Sequence, residues 1–328
     1  MGKTQRAEAA FCLLRSALHS VSKKLRQPSL TYSRMKFLLF TILIITTYSC
    51  ERRIDFTPDT QEPKLVVEAI IENSQHPVVY LTRSLDFFST ISREELAGSF
   101  ERHAEVTISD GVHTETLKEY EVPIARDTVL FYYTTDTARG SSALTGELGS
   151  IYHLNIKTTD GKEYTSTTTI PYLTKTLDSL YYFYANIPGD TAKVILYGRF
   201  NDPPGFGNYI RYFTNVNSGA YLPGLNSVFD DQVVDGKKYN VQIERGVDRN
   251  TDIDFENYSY FNKGDIISVK FCNIDKATFD FWRTMEYSYA SIGNPFSSPT
   301  KVIGNISNGA LGYFGGYAVQ YASIIIPE

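Results

Sequence analysis

Four histidines, His76, His103, His113 and His153, lie between residues 76 and 153, and none follows. Catalysis by such a residue needs a nucleophile, a base and an orienting group, and each of these histidines is isolated in sequence. His103 and His113 could meet on adjacent strands as a metal pair, but no ligand spacing recommends it. No H-E-x-x-H, G-x-S-x-G or phosphate-cradling glycine loop is present. The densest oxygen-ligand set is DRNTDIDFE, which puts Asp248, Asn250, Asp252, Asp254 and Glu256 at alternate positions. That spacing matches the start of a calcium loop, yet Ile253 stands where the loop needs Gly and Ser259 where it needs a bidentate Glu. The stretch is therefore a weak calcium candidate and reads first as a solvated loop or strand edge. Catalysis beyond residue 153 would have to rest on carboxylates or tyrosines, for instance a carboxylate pair cleaving a glycan.

A second constellation is covalent. In MKFLLFTILIITTYSC, residues 35–50, a lysine precedes a nine-residue run broken only by Thr41, then small and polar residues lead to Cys50. The run is too short to span a bilayer, which needs roughly 20 apolar residues, and suits the core of a signal peptide. The ending resembles the bacterial lipobox, in which the Cys after the cut receives diacylglycerol on sulfur. Each buried methylene contributes about 0.8 kcal/mol, so a multiply acylated Cys50 would hold the protein on a membrane. Residues 1–34 then read as a misassigned upstream extension, 35–49 as the signal peptide and 50–63, with two prolines, as a tether.

Counting from Cys50 leaves 24 basic against 36 acidic residues, a net charge of −12 instead of the −5 of the full chain. Such a surface disfavours nucleic acid, whose phosphates require clustered Lys and Arg. With Cys50 lipidated, Cys272 stands alone, so no disulfide forms within the mature chain. No cofactor motif appears, and the expectation is a protein that is not an enzyme.

The elements that would position any site are strands. Tyrosine numbers 24, and Thr, Val and Ile alternate between Gly- and Asp-marked turns. Strands are expected at 64–71, 77–84, 104–110 and 128–135, with 85–103 a loop or short helix. A hairpin is expected over 152–170, its Asp160-Gly161 tip in a type I′ turn. This spacing predicts an immunoglobulin-like β-sandwich over 64–171. Pro171 reads as a boundary to a second β-rich domain, 172–328. There AKVILYGRF and NYIRYFTNV, joined by NDPPGFG, are expected to form a hairpin, and strands follow at 237–245 and 265–274. One helix is expected near 275–291, capped by Asp275, with Phe279, Trp282, Met285 and Tyr287 on its apolar face. AVQYASIII reads as the last strand.

The lipobox, LVVEAIIEN (65–73), FNDPPGFGNYIRYF (200–213), GDIISVKFCNIDKATFDFW (264–282) and NPFSSPTKVIGNISNGALGYFGGYA (294–318) resemble a family of Bacteroidota lipoproteins known as a domain of unknown function, DUF4249. The resemblance runs from Cys50 to the C-terminus. It implies an exported, membrane-anchored, β-rich protein, of a kind commonly encoded beside TonB-dependent outer-membrane receptors. It implies no established activity, so no catalytic residue carries over. In its glycine-rich C-terminal block, Gly309, Gly312, Gly315 and Gly316 would let Tyr313, Phe314 and Tyr317 pack tightly or line a groove. The resulting expectation is an outer-membrane lipoprotein that binds a ligand or a partner, as an accessory to a TonB-dependent transporter. The rivals are a carboxylate-dependent envelope hydrolase and a structural or adhesion module.

Overall fold

A computed structural model describes residues 62–85, 93–125, 128–136, 138, 140, 143–292, 294, 296–298 and 300–328. The leader, Cys50 and most of the tether lie outside the described residues. The fold is mainly β, 48% strand and 9% helical. In chain order the first half supplies β1 (Leu65–Glu72), β2 (Val78–Arg83), α1 (Arg93–Gly98), β3 (Glu105–Ser109), β4 (Thr114–Thr116), β5 (Lys118–Ala125), β6 (Thr128–Thr134), β7 (Ile151–Lys157) and β8 (Glu163–Thr169). The second half supplies β9 (Thr176–Tyr184), β10 (Lys193–Asn201), β11 (Tyr209–Val216), β12 (Leu222–Phe229), β13 (Lys238–Ile243), β14 (Phe261–Asn262), β15 (Ile266–Ile274), α2 (Lys276–Ala290) and β16 (Leu311–Ile325).

Strict alternation explains the first layer. Along β7 and β8, Tyr152, Leu154, Ile156, Tyr164, Ser166 and Thr168 point inward while their neighbours face solvent. The sheet β4-β3-β7-β8 packs these residues onto Val67, Ala69, Ile71, Val79 and Leu81 of the facing sheet. The hairpin turn departs from the expected type I′. Only Gly161 has a positive φ, and Thr158 and Lys162 close a three-residue loop, the pattern of a type I turn followed by a glycine bulge.

The expected boundary at 171 separates neither the sheets nor the apolar clusters cleanly. The described residues form one compact unit. A single eight-stranded sheet, β12-β11-β15-β16-β1-β2-β6-β5, runs through both halves. Its seam is the parallel pairing of β1 with β16, which also puts Phe314 and Ala318 into the first core. The N-terminal sandwich is thus completed by the last strand of the chain, so the described residues do not divide at Pro171.

The second correction concerns NDPPGFG. β10 pairs with β9, β13 and β14, whereas β11 pairs with β12 and β15 in the large sheet. The segment carries the chain from one layer to the other and is not a hairpin tip. Between these layers lies a second core of Leu177, Val194, Leu196, Phe200, Ile210, Ile243, Phe261, Val269 and Phe271.

The α2 helix begins as read: the Asp275 carboxylate accepts from the Thr278 amide at 2.8 Å. It also accepts from Thr168 Oγ1 at 2.8 Å, tying the cap to β8. Phe279 and Phe281 are buried, with Trp282 and Met285 half-buried, but Tyr287 is exposed and Glu286 takes the inward place. Seven residues separate Phe279 from Glu286, close to two full turns, so the two share a face that Tyr287 misses.

Candidate functional site

The structure keeps the histidines apart. His76 Nδ1 meets the Leu144 carbonyl at 2.9 Å, and His153 Nδ1 lies 3.0 Å from Thr167 Oγ1. His103 faces Glu119 and His113 faces Asp110, each ring exposed. Those two residues flank opposite ends of the five-residue β3, about 17 Å of strand, so they do not meet.

The acidic stretch is a solvated loop. Asp248 accepts from the amide and side chain of Asn250, and Asp254 accepts from the Glu256 amide and Asn257 side chain. These local bonds hold the Asp254 carboxyl below its usual range. Asp248, Asp252 and Asp254 line a 290 Å³ depression together with Lys193 and Arg245. Asp248, Asp252, Asp254 and Glu256 supply no group of three carboxylates within 4.8 Å. Among the described residues the carboxylates that do converge are Asp202, Asp231 and Asp235.

That triad organises the crossing loop. Asp235 accepts from the Gly205 amide at 2.6 Å, Asp231 from the amides of Gly207 and Asn208, and Asp202 from Gly236. Pro203 and Pro204 carry no N–H, so these carboxylates take the donors that the loop does offer. Lys175, fully buried, lies 2.9 Å from Asp202 Oδ1.

In the glycine-rich block the aromatic side chains pack into the core, while Asn308 and Gly309 border a 380 Å³ pocket beside Lys64 and Arg83. Tyr313, Phe314 and Tyr317 are all buried. Phe281 stacks on Tyr313 at 4.4 Å, and the Trp282 indole donates to Tyr317 Oη at 3.1 Å. Beside them is a buried polar chain with no obvious signature in sequence. The Arg211 guanidinium lies 3.4 Å from the Trp282 ring and donates to Tyr317 Oη and Ser227 Oγ. Ser227 donates through its amide and hydroxyl to Glu286, which also faces Arg249 at 3.6 Å. This chain joins β11, β12, β16 and α2 and leaves Arg211 and Glu286 mutually compensated through Ser227.

Cys272 sits against the same face, wholly buried, and burial pushes its thiol up to about 12. A thiol reagent at pH 8 is therefore expected to label Cys272 only in denaturant. Because the folded thiol keeps its proton above the unfolded value of about 9, its contribution to stability is complete below pH 9. It is lost as pH rises toward 12. Rapid labelling of the native protein would contradict this.

Among the described residues an 880 Å³ cleft opens between the two layers of the second half. That size lies within the roughly 300–1,000 Å³ of ligand pockets. Its floor is Phe200, Ile210, Tyr212, Val269 and Phe271. One wall is the run Tyr239 to Glu244 of β13 and its end; the other is Asn226, Val228, Phe229 and Asp230 of β12 and its end. Val233 and Val234 close one end, and Phe279 and Arg283 of α2 also line it. Phe229, Val233 and Val241 are exposed at its margin. Burial raises the phenols of Tyr212 and Tyr239, and Glu244 and Glu286 add to the effect on Tyr212. Both rings thus stay neutral and act as apolar walls with a hydroxyl. The cleft draws on residues from 200 to 283, and the sequence reading missed it.

No curated protein matches the sequence at a significant level. The family described as a domain of unknown function, DUF4249, matches residues 51–322, and the chain belongs to it.

Proposed function

We propose that this protein is a lipid-anchored lipoprotein of the outer membrane that binds a ligand or partner without catalysing a reaction, as an accessory to a TonB-dependent transporter. The observation that carries the reading is the 880 Å³ cleft, apolar over most of its lining and open at its margin. The lipobox ending at Cys50 and the tether behind it supply the anchor and the reach. Two carboxylates border the cleft, but each already accepts from its own chain, Glu244 from Tyr258 Oη and Asp230 from the Gln232 amide. That favours binding over a pair of acid catalysts.

Co-purification from detergent-solubilised outer membranes tests it. A receptor is expected to accompany the wild-type protein, and substitution of Phe229 by Glu in the exposed cleft margin is expected to reduce its recovery at least about ten-fold, the scale of losing one buried apolar anchor. Recovery of the lipoprotein always alone would overturn the proposal.

A further inference from the structure

We infer that the cleft accepts an extended peptide strand of the partner, paired edge-on with β13. The inference rests on the reading of the cleft as a partner site. Six consecutive residues, Tyr239 to Glu244, line it. A strand whose inward side chains alone faced a cavity would contribute every second residue. An unbroken run means that the edge of β13, backbone included, forms the wall.

That edge is bare. Among the described residues β13 pairs with β10 alone, and no backbone hydrogen bond leaves Lys238 to Ile243 on the other side. The facing edge is closed by contrast. On β12 the Pro223 carbonyl accepts from the Val247 amide, the Gly224 and Leu225 carbonyls accept from Arg249, and the Ser227 amide donates to Glu286. The outer edge of β8 is likewise paired with Ser307. Beyond the exposed Lys238 at its start, β13 carries no proline, bulge or inward charge to guard it.

The remaining surfaces define the occupant. Tyr239, Val241 and Ile243 face inward toward Phe229, Ile210 and Phe271, so alternate side chains of an added strand would enter an apolar space. Asp230 and Glu244 outnumber Arg283 among the charges of the lining, which favours basic residues flanking the apolar alternation. A lipid chain would satisfy the walls but strip water from the β13 amides and carbonyls without replacing it. A peptide backbone replaces it.

The test is selection of a twelve-residue peptide library, displayed on phage, against the purified protein. Enriched sequences are expected to alternate apolar residues and to carry flanking Lys or Arg. A fluorescent synthetic copy should bind saturably, and N-methylating the amides on one of its two edges should weaken it at least about ten-fold while the other edge tolerates the change. Val241→Lys, which puts an inward charge on the edge strand, should weaken it by a similar factor with an unchanged melting midpoint. Absence of alternation, equal affinity after methylation on either edge, or unaltered binding by Val241→Lys overturns the inference, as does oleate occupying the cleft where no peptide is enriched. A receptor that still co-purifies with the Val241→Lys protein would sink strand docking while leaving the partner reading intact.

Discussion

Substitution of Lys175 by Met is expected to lower the unfolding free energy by about 3–5 kcal/mol, the cost of removing one partner from a buried ion pair. Neither side chain of the pair reaches solvent: Lys175 is 1% exposed and Asp202 0%. The ammonium also lies 5.4 Å over the Tyr239 ring. Its backbone is fixed by Asn273, which accepts from the Lys175 amide and donates to its carbonyl. Methionine preserves much of the packing and deletes only the charge. Asp202 would then face Asp231 and Asp235, all within 4.8 Å, with no cation between them. Urea unfolding measures the loss, and the double variant Lys175→Met with Asp202→Asn should recover most of it. A loss below about 1 kcal/mol would mean that water reaches the pair.

The same substitution reaches the cleft. Val233 and Val234, which close one of its ends, lie between Asp231 and Asp235, and those two carboxylates hold the loop at Gly205, Gly207 and Asn208. The charged clamp therefore sets the position of an apolar wall. Loosening it should weaken binding in the cleft as well as stability, whereas Val241→Lys should touch binding alone.

What could be read from the residues was whatever depends on near neighbours. Alternation marked β7 and β8 because each has one face on a core, and Asp275 marked the start of α2 because a cap acts three residues ahead. Pairing over long distances left no such mark. β1 and β16 lie some 240 residues apart, and nothing local in LVVEAIIE names its neighbour. AKVILYGRF and NYIRYFTNV look like a hairpin because strands joined by a short turn usually pair. The two prolines and three carboxylates that hold the crossing act only in three dimensions. β12 was hidden by Pro223 and Gly224, residues that argue against a strand unless it is an edge. The cleft required both the crossing and that edge, so it could not be seen before the layers were placed.

Gly312→Ala provides the sharpest check on the seam that makes these layers one unit. Gly312 pairs with Val67 in the parallel ladder at φ 97°, and a Cβ there would sit 1.9 Å from the Val67 carbonyl oxygen. Both the backbone conformation and the space exclude a side chain. A strained conformation of this kind costs about 1–3 kcal/mol, and the clash with backbone adds to it, so the expected loss exceeds about 3 kcal/mol. Gly309→Ala is the control, because φ 73° imposes similar strain but nothing lies within 4 Å of the added methyl. Its cost should stay near about 1–2 kcal/mol. Amide exchange localises the effect: in the Gly312 variant β1 amides should lose protection together with Phe314, whose amide and carbonyl are both held by Asn305. Protection should fall on both sides of residue 171, in β2 and in β15, because the seam joins the halves. If exchange rose only beyond residue 172, the two halves would be independent units and the single sheet would not govern their stability.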